Sequence, residues 1–177
     1  ALLLNALTGT HVMWDEHWHG ESSNHNEYEC LDHEESASSV YEFVAMKIPH
    51  HQEAIDTATI IQQKTKNPEL LVITRDIISA QQSEIQRMQQ RLQEYRPEKT
   101  MSNSMYMPMM NPDLETLDTA DAEREFLEWM VMHHQWAISM AIKVLSFDDV
   151  PNDIREFAYQ IILAQSEEII QMDTLLQ

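Results

Sequence analysis

The chain has 177 residues, and its 30 Asp and Glu residues outnumber its 11 Lys and Arg residues, which gives a formal net charge of −19. This acidity argues against nucleic acid and anionic membrane surfaces as partners, because both need basic residues, and it favours cations. Only 2 glycines are present, and Gln, Glu, Met, Leu and Ala dominate. We therefore expect one all-α domain over residues 1–177, with no run long enough to span a membrane. The single cysteine excludes an internal disulfide.

Residues 1–34 form an irregular extension that is rich in histidine and tryptophan. His17 and His19 are candidate copper ligands, and a nearby indole ring would shield Cu(I) through a cation–π contact. The alternative is that the tryptophans dock on the bundle while the histidines remain solvated. The chain opens on Ala1 rather than Met. We therefore expect an exported protein whose signal peptide has been removed.

Helix-forming segments follow in two pairs. Asn67 and Pro68 supply an N-cap and a first helical residue between the first two helices. The proline-containing residues 96–118 form a linker between the pairs. Two helix hairpins predict a four-helix bundle, ferritin-like or similar. The predicted helices cover residues 35–66, 68–95, 119–146 and 151–177.

The two helix pairs repeat each other in sequence. The segment PHHQEAIDTA that begins at Pro49 returns as MHHQWAISMA at Met132, 83 positions later (132 − 49). The segment AQQSEIQRM in the first pair returns as AQSEEIIQM in the second. This internal duplication predicts two similar units, residues 35–95 and 119–177, each with a histidine pair and a later methionine.

Each histidine pair lies on the apolar face of its predicted helix. Met46 precedes His50 by four residues and Met130 precedes His133 by three, spacings that let each pair converge on one point. Thioether and imidazole together suit Cu(I) and its mimic Ag(I). The two rings of a histidine pair point about 100° apart and do not easily share one ion. The alternative is that these residues are core packing. The candidate ligands are Met46, His50, His51, Met130, His133 and His134.

The second helix of each pair is predicted to place polar residues beside the histidines of the first helix. We expect Gln81 and Glu84 near His50, because each hairpin runs back on itself, with the matching Gln and Glu near His133. A carboxylate or amide on the second imidazole nitrogen is the usual support of a metal-ligating histidine. One later methionine in each unit is also a candidate ligand, although apolar neighbours favour core packing for both. These methionines are Met88 and Met172.

The linker contains the segment MSNSMYMPMM, in which methionines recur without helical periodicity. Closely spaced thioethers on a flexible backbone can wrap a soft monovalent ion, so we interpret this segment as a site of metal capture. The alternative is a loop that packs over the bundle. The candidate ligands here are Met101, Met105, Met107, Met109 and Met110.

Both units contain the same order of residues: Phe, Met, His-His-Gln and Ala, followed by Ala-Gln, Glu-Ile and Met. In this order the chain resembles a bacterial family of helical, often exported proteins of unknown function. Residues 41–95 and 124–176 match the family unit once each. The resemblance implies a four-helix fold, a periplasmic location and copper binding through the histidine pairs with Met46 and Met130. Lys47 departs from the pattern, because it stands where the second unit has Met130, and its ammonium would repel a bound cation.

These features favour a copper-resistance protein that sequesters Cu(I) or delivers it to a copper-exporting or copper-accepting protein, with Cu(II) as a further candidate. The first alternative is a metal-free helical binding module in which buried histidines report pH. A metal-dependent enzyme is less favoured. The four predicted helices contain neither the Glu-x-x-His pairs of di-iron bundles nor the His-Glu-x-x-His of zinc enzymes, so we expect no catalytic residues.

Overall fold

The computed structural model describes residues 37–95 and 106–177. Its regular elements are four α-helices that form two hairpins, so the predicted all-α four-helix bundle is confirmed. The helices are α1 (Val40–Lys64), α2 (Pro68–Tyr95), α3 (Thr119–Leu145) and α4 (Asn152–Leu176).

Polar side chains set the beginnings of three helices. The hydroxyl of Ser39 accepts a hydrogen bond from the backbone N–H of Glu42 at 3.2 Å, so α1 starts five residues later than the sequence predicted. Asn67 caps α2 through Oδ1, 3.0 Å from the Glu69 nitrogen, directly before Pro68 as predicted. Asp118 caps α3 in the same way. Side-chain oxygens satisfy N–H groups that have no partner within the helix.

The two hairpins meet mainly through α1 and α3. One apolar cluster joins the first half of α1, around Phe43, to the second half of α3, around Val144. A second cluster joins the other halves, around Ile61 and Phe126. The two helices therefore run in opposite directions, and the middle of each lies where the clusters meet. Both histidine pairs are in these middle segments.

None of the four helices within residues 37–95 and 106–177 combines the length and the apolar character that crossing a membrane requires.

Candidate metal centre

The packing of α1 on α3 brings the two histidine pairs together in one buried cluster. The ring centroids of His50 and His133 are 3.7 Å apart. The rings within each pair are 6.1 Å apart in both repeats, as expected for neighbours on a helix. All four imidazoles are fully buried, with 0% exposure. The sequence suggested one site in each repeat, whereas the fold makes the histidines of both repeats a single cluster.

Each repeat holds one of its histidines with a carboxylate from the second helix of the hairpin. The Nε2–H of His51 donates to Glu84 Oε2 at 2.6 Å, and that of His134 donates to Glu168 Oε2 at 2.7 Å. The predicted carboxylates are therefore present, but they hold the second histidine of each pair rather than His50 and His133. A proton on Nε2 leaves the Nδ1 lone pair available, as in metal-ligating histidines that are oriented by a carboxylate.

Several buried polar atoms of the cluster have no hydrogen-bond partner among the described residues. They include both ring nitrogens of His50, the Nδ1 atoms of His51 and His134, and the side-chain amide of Gln81. A buried polar group without a partner typically costs about 1–3 kcal/mol. The bundle therefore keeps donor atoms that its own hydrogen bonds do not use.

Burial favours the neutral form of His50, His51 and His133. It lowers the pKa of His50 and His133 well below the usual 6.5, and the mutual repulsion of the rings lowers both pKa values further. Burial also lowers the pKa of His51, although the hydrogen bond with Glu84 opposes this shift. A neutral imidazole has a free lone pair, so these histidines are ready to bind a cation without first losing a proton.

A strap formed by residues 106–118 packs against side chains that neighbour the cluster. Tyr106 stacks on Trp136 with ring centroids 5.9 Å apart, and Trp136 lies 4.9 Å from His50. The Tyr106 hydroxyl donates to Glu53 Oε2 at 2.7 Å. The same carboxylate oxygen is 3.6 Å from His133 Nε2. Tyr106 of the strap therefore contacts an aromatic ring of α3 and a carboxylate of α1, and each of these lies beside a cluster histidine.

Glu53 carries a shifted pKa because of this position. Partial burial raises the pKa of its carboxyl from 4.5 to about 7, although hydrogen bonds from the Tyr106 hydroxyl and the Met109 backbone N–H lower it.

A second attachment of the strap involves Trp129, which lies 4.7 Å from His133 and whose Nε1–H donates to the Met110 carbonyl at 2.9 Å. The strap is thus tied to both α1 and α3.

The candidate methionines occupy three different environments. Met46 and Met88 lie in the first apolar cluster, whereas Met130 and Met172 lie in the second. On the strap, Met109 is partly buried against the second cluster. The thioethers of two other strap methionines are open to solvent, with Met107 at 51% and Met110 at 81% exposure. Four candidates lie outside the described residues: His17, His19, Met101 and Met105.

Four further residues were not identified from the sequence, although they lie beside the histidines or contact their neighbours: Glu53, Tyr106, Trp129 and Trp136. Their only sequence signal is weak: Glu53 and Trp136 each follow a cluster histidine by three residues. Within the described ranges, no three His, Cys, Asp or Glu side chains are arranged to hold a metal ion. The donors that the structure gathers here are imidazoles, flanked along α1 and α3 by thioethers, and this donor set fits a soft cation.

The chain belongs to the DUF305 family, described as a domain of unknown function, because residues 41–176 match it. The predicted family resemblance is therefore confirmed. The solved structure of CopM in the Cu(II)-bound form is 34% identical, covers 78% of this chain and 96% of its own, and has a TM-score of 0.69. CopM in the Cu(I)-bound form is 33% identical with the same coverage and a TM-score of 0.68.

A DUF305 protein of Streptomyces coelicolor, described as a candidate secreted protein, is 26% identical. It covers 78% of this chain and 92% of its own, with a TM-score of 0.69. No curated protein sequence matches the chain.

Proposed function

We propose that this protein binds Cu(I) through imidazole and thioether ligands and sequesters or delivers it outside the cytoplasm. The buried histidine cluster carries this proposal. Burial favours neutral rings at His50, His51 and His133, the two carboxylate-supported histidines keep Nδ1 free, and the packing of both repeats brings the pairs together. Met130 and Met46 lie one helical turn from His133 and His50, so thioether donors flank the rings on both helices.

The comparisons support copper as the cargo. CopM has been solved in Cu(I)-bound, Cu(II)-bound and Ag-bound forms, and this chain shares its fold and about a third of its residues. The candidate secreted relative supports a location outside the cytoplasm. Methionine suits such a compartment, because a thioether binds Cu(I) without deprotonation and cannot form a disulfide. We propose the periplasm and a copper-exporting or copper-accepting protein as the partner.

A competition titration tests this function. The apo-protein is titrated with Cu(I) against a chromophoric chelator under anaerobic, reducing conditions. We expect saturation at one or more ions with nanomolar or tighter affinity, and a higher melting temperature in the presence of Ag(I). Failure to compete with the chelator would refute copper carriage.

A pH-sensing module is the second candidate, favoured by the burial of four histidines at 0% exposure. In that case the cluster would respond to protons rather than to metal. The same titration separates the two functions, because a sensor predicts no tight Cu(I) binding and a melting temperature that Ag(I) does not change.

We propose that the linker methionines capture the ion before the buried cluster receives it, since Met107 and Met110 are exposed on the strap. Replacing all five linker methionines with Leu is expected to reduce the number of Cu(I) ions bound and to leave helicity unchanged. The stoichiometry is measured by chelator competition and the helicity by circular dichroism. Met140→Leu, a buried methionine outside the candidate set, is the control. An unchanged stoichiometry would exclude the linker as a site.

A further inference from the structure

Lys47 breaks the symmetry of the two repeats at the histidine cluster. The offset of 83 positions (133 − 50) that relates His50 to His133 also relates Lys47 to Met130. The side chains of Lys47 and Met130 are both fully buried, at 0% exposure. Met46 is not the counterpart of Met130, because the same offset relates it to Trp129. The thioether position of the second repeat is therefore taken by an amine in the first.

The lysine side chain is held among the histidines by a defined contact. Its Nζ donates to the backbone carbonyl of Ala137 at 3.0 Å, which joins α1 to α3. Its charge also lowers the pKa of His50, His51 and His133, although burial is the larger cause for each ring. The first repeat therefore places a buried amine, held between α1 and α3, where the second repeat has a thioether.

We propose that Lys47 closes the first-repeat copy of the soft-ion site, so that the helical cluster holds one ion, on the Met130 side, rather than two. This inference rests on the proposed function. Lys47 excludes the second ion in two ways: its position lacks the thioether that Met130 supplies in the second repeat, and its Nζ is held on the Ala137 carbonyl. Lys47 thus sets the number of ions that the bundle carries.

Substituting the lysine tests the inference directly. The full chain and its variants are titrated with Ag(I) by calorimetry in chloride-free buffer. We expect Lys47→Met to bind one more Ag(I) than the wild type, with an affinity within about tenfold of the existing bundle site. Lys47→Leu removes the charge without adding a thioether, and is expected to keep the wild-type number. The double variant Lys47→Met, Met130→Lys is expected to return to the wild-type number with the ion moved to His50.

Proton NMR of the histidine rings identifies which imidazoles respond to each ion, and circular dichroism verifies the fold of each variant. An unchanged ion number in Lys47→Met would overturn the inference, as would an equal gain in Lys47→Leu. Loss of an ion in both variants would also overturn it, because it would show that the lysine amine is itself a ligand. A wild type that binds no Ag(I) would instead refute the proposed function, and with it the inference.

Discussion

The double variant Met130→Leu, His133→Ala is expected to weaken Cu(I) binding at the bundle by more than roughly 100-fold, because changing even an outer partner of a ligand costs 10–100-fold. The corresponding double variant Met46→Leu, His50→Ala is expected to weaken Cu(I) binding by no more than about tenfold. The difference arises because the first repeat has the buried Lys47 amine where the second repeat has the buried Met130 thioether. Both affinities are measured by chelator competition.

The background for this comparison is the variant in which the five linker methionines are leucine, so that only bundle sites contribute. Circular dichroism and thermal melting of each apo-protein separate a lost ligand from a lost fold, because His→Ala leaves a cavity in both variants. A larger loss of affinity from the Met46 and His50 changes would contradict the asymmetry that we assign to Lys47.

The apo-protein is expected to become more stable by about 2 to 3 kcal/mol between pH 7.5 and 9.5 because of Lys47 alone. Burial lowers the pKa of this lysine from 10.5 to about 7, although Glu84 opposes the shift. Between these two values the unfolded chain binds more protons than the folded chain, so the free energy of unfolding rises with pH. Chemical denaturation at several pH values measures the slope of the free energy of unfolding against pH.

Lys47→Leu is expected to remove most of this slope and to be more stable than the wild type at pH 7.5, because a buried amine no longer has to lose its proton on folding. Lys66→Leu changes an exposed lysine and serves as the matched control, whose slope is expected to match the wild type. An equally steep slope in Lys47→Leu would show that another group causes the pH dependence.

Much of the fold could be predicted from local sequence signals. Helix-forming residues, the near absence of glycine and the cap at Asn67 are local features, and they give helix ends close to those observed. The start of α1 was predicted too early, because Glu35 and Ala37 are helix formers while the Ser39 hydroxyl provides the actual cap. The repeat predicted two hairpins because similar segments form similar structures.

The residues of the candidate site could be predicted in part from the sequence, but their pairing could not. The repeated histidines and the carboxylates of the second helices were identified, since a hairpin brings residues at equal distance from its turn together. Which histidine each carboxylate holds depends on the rotation of one helix against the other. The sequence predicted His50 and His133, whereas the structure pairs Glu84 with His51 and Glu168 with His134.

The chain's periodicity and repeats therefore determined its helices, its two hairpins and the residue types near its centre, because these follow from contacts within a hairpin. The contact between the hairpins, by contrast, joins residues far apart in sequence. Only the tertiary structure showed that the ring centroids of His50 and His133 are 3.7 Å apart. It also showed that the Tyr106 hydroxyl reaches Glu53 and that Lys47 reaches Ala137. Such long-range contacts depend on how helix faces pack, and no local pattern records them.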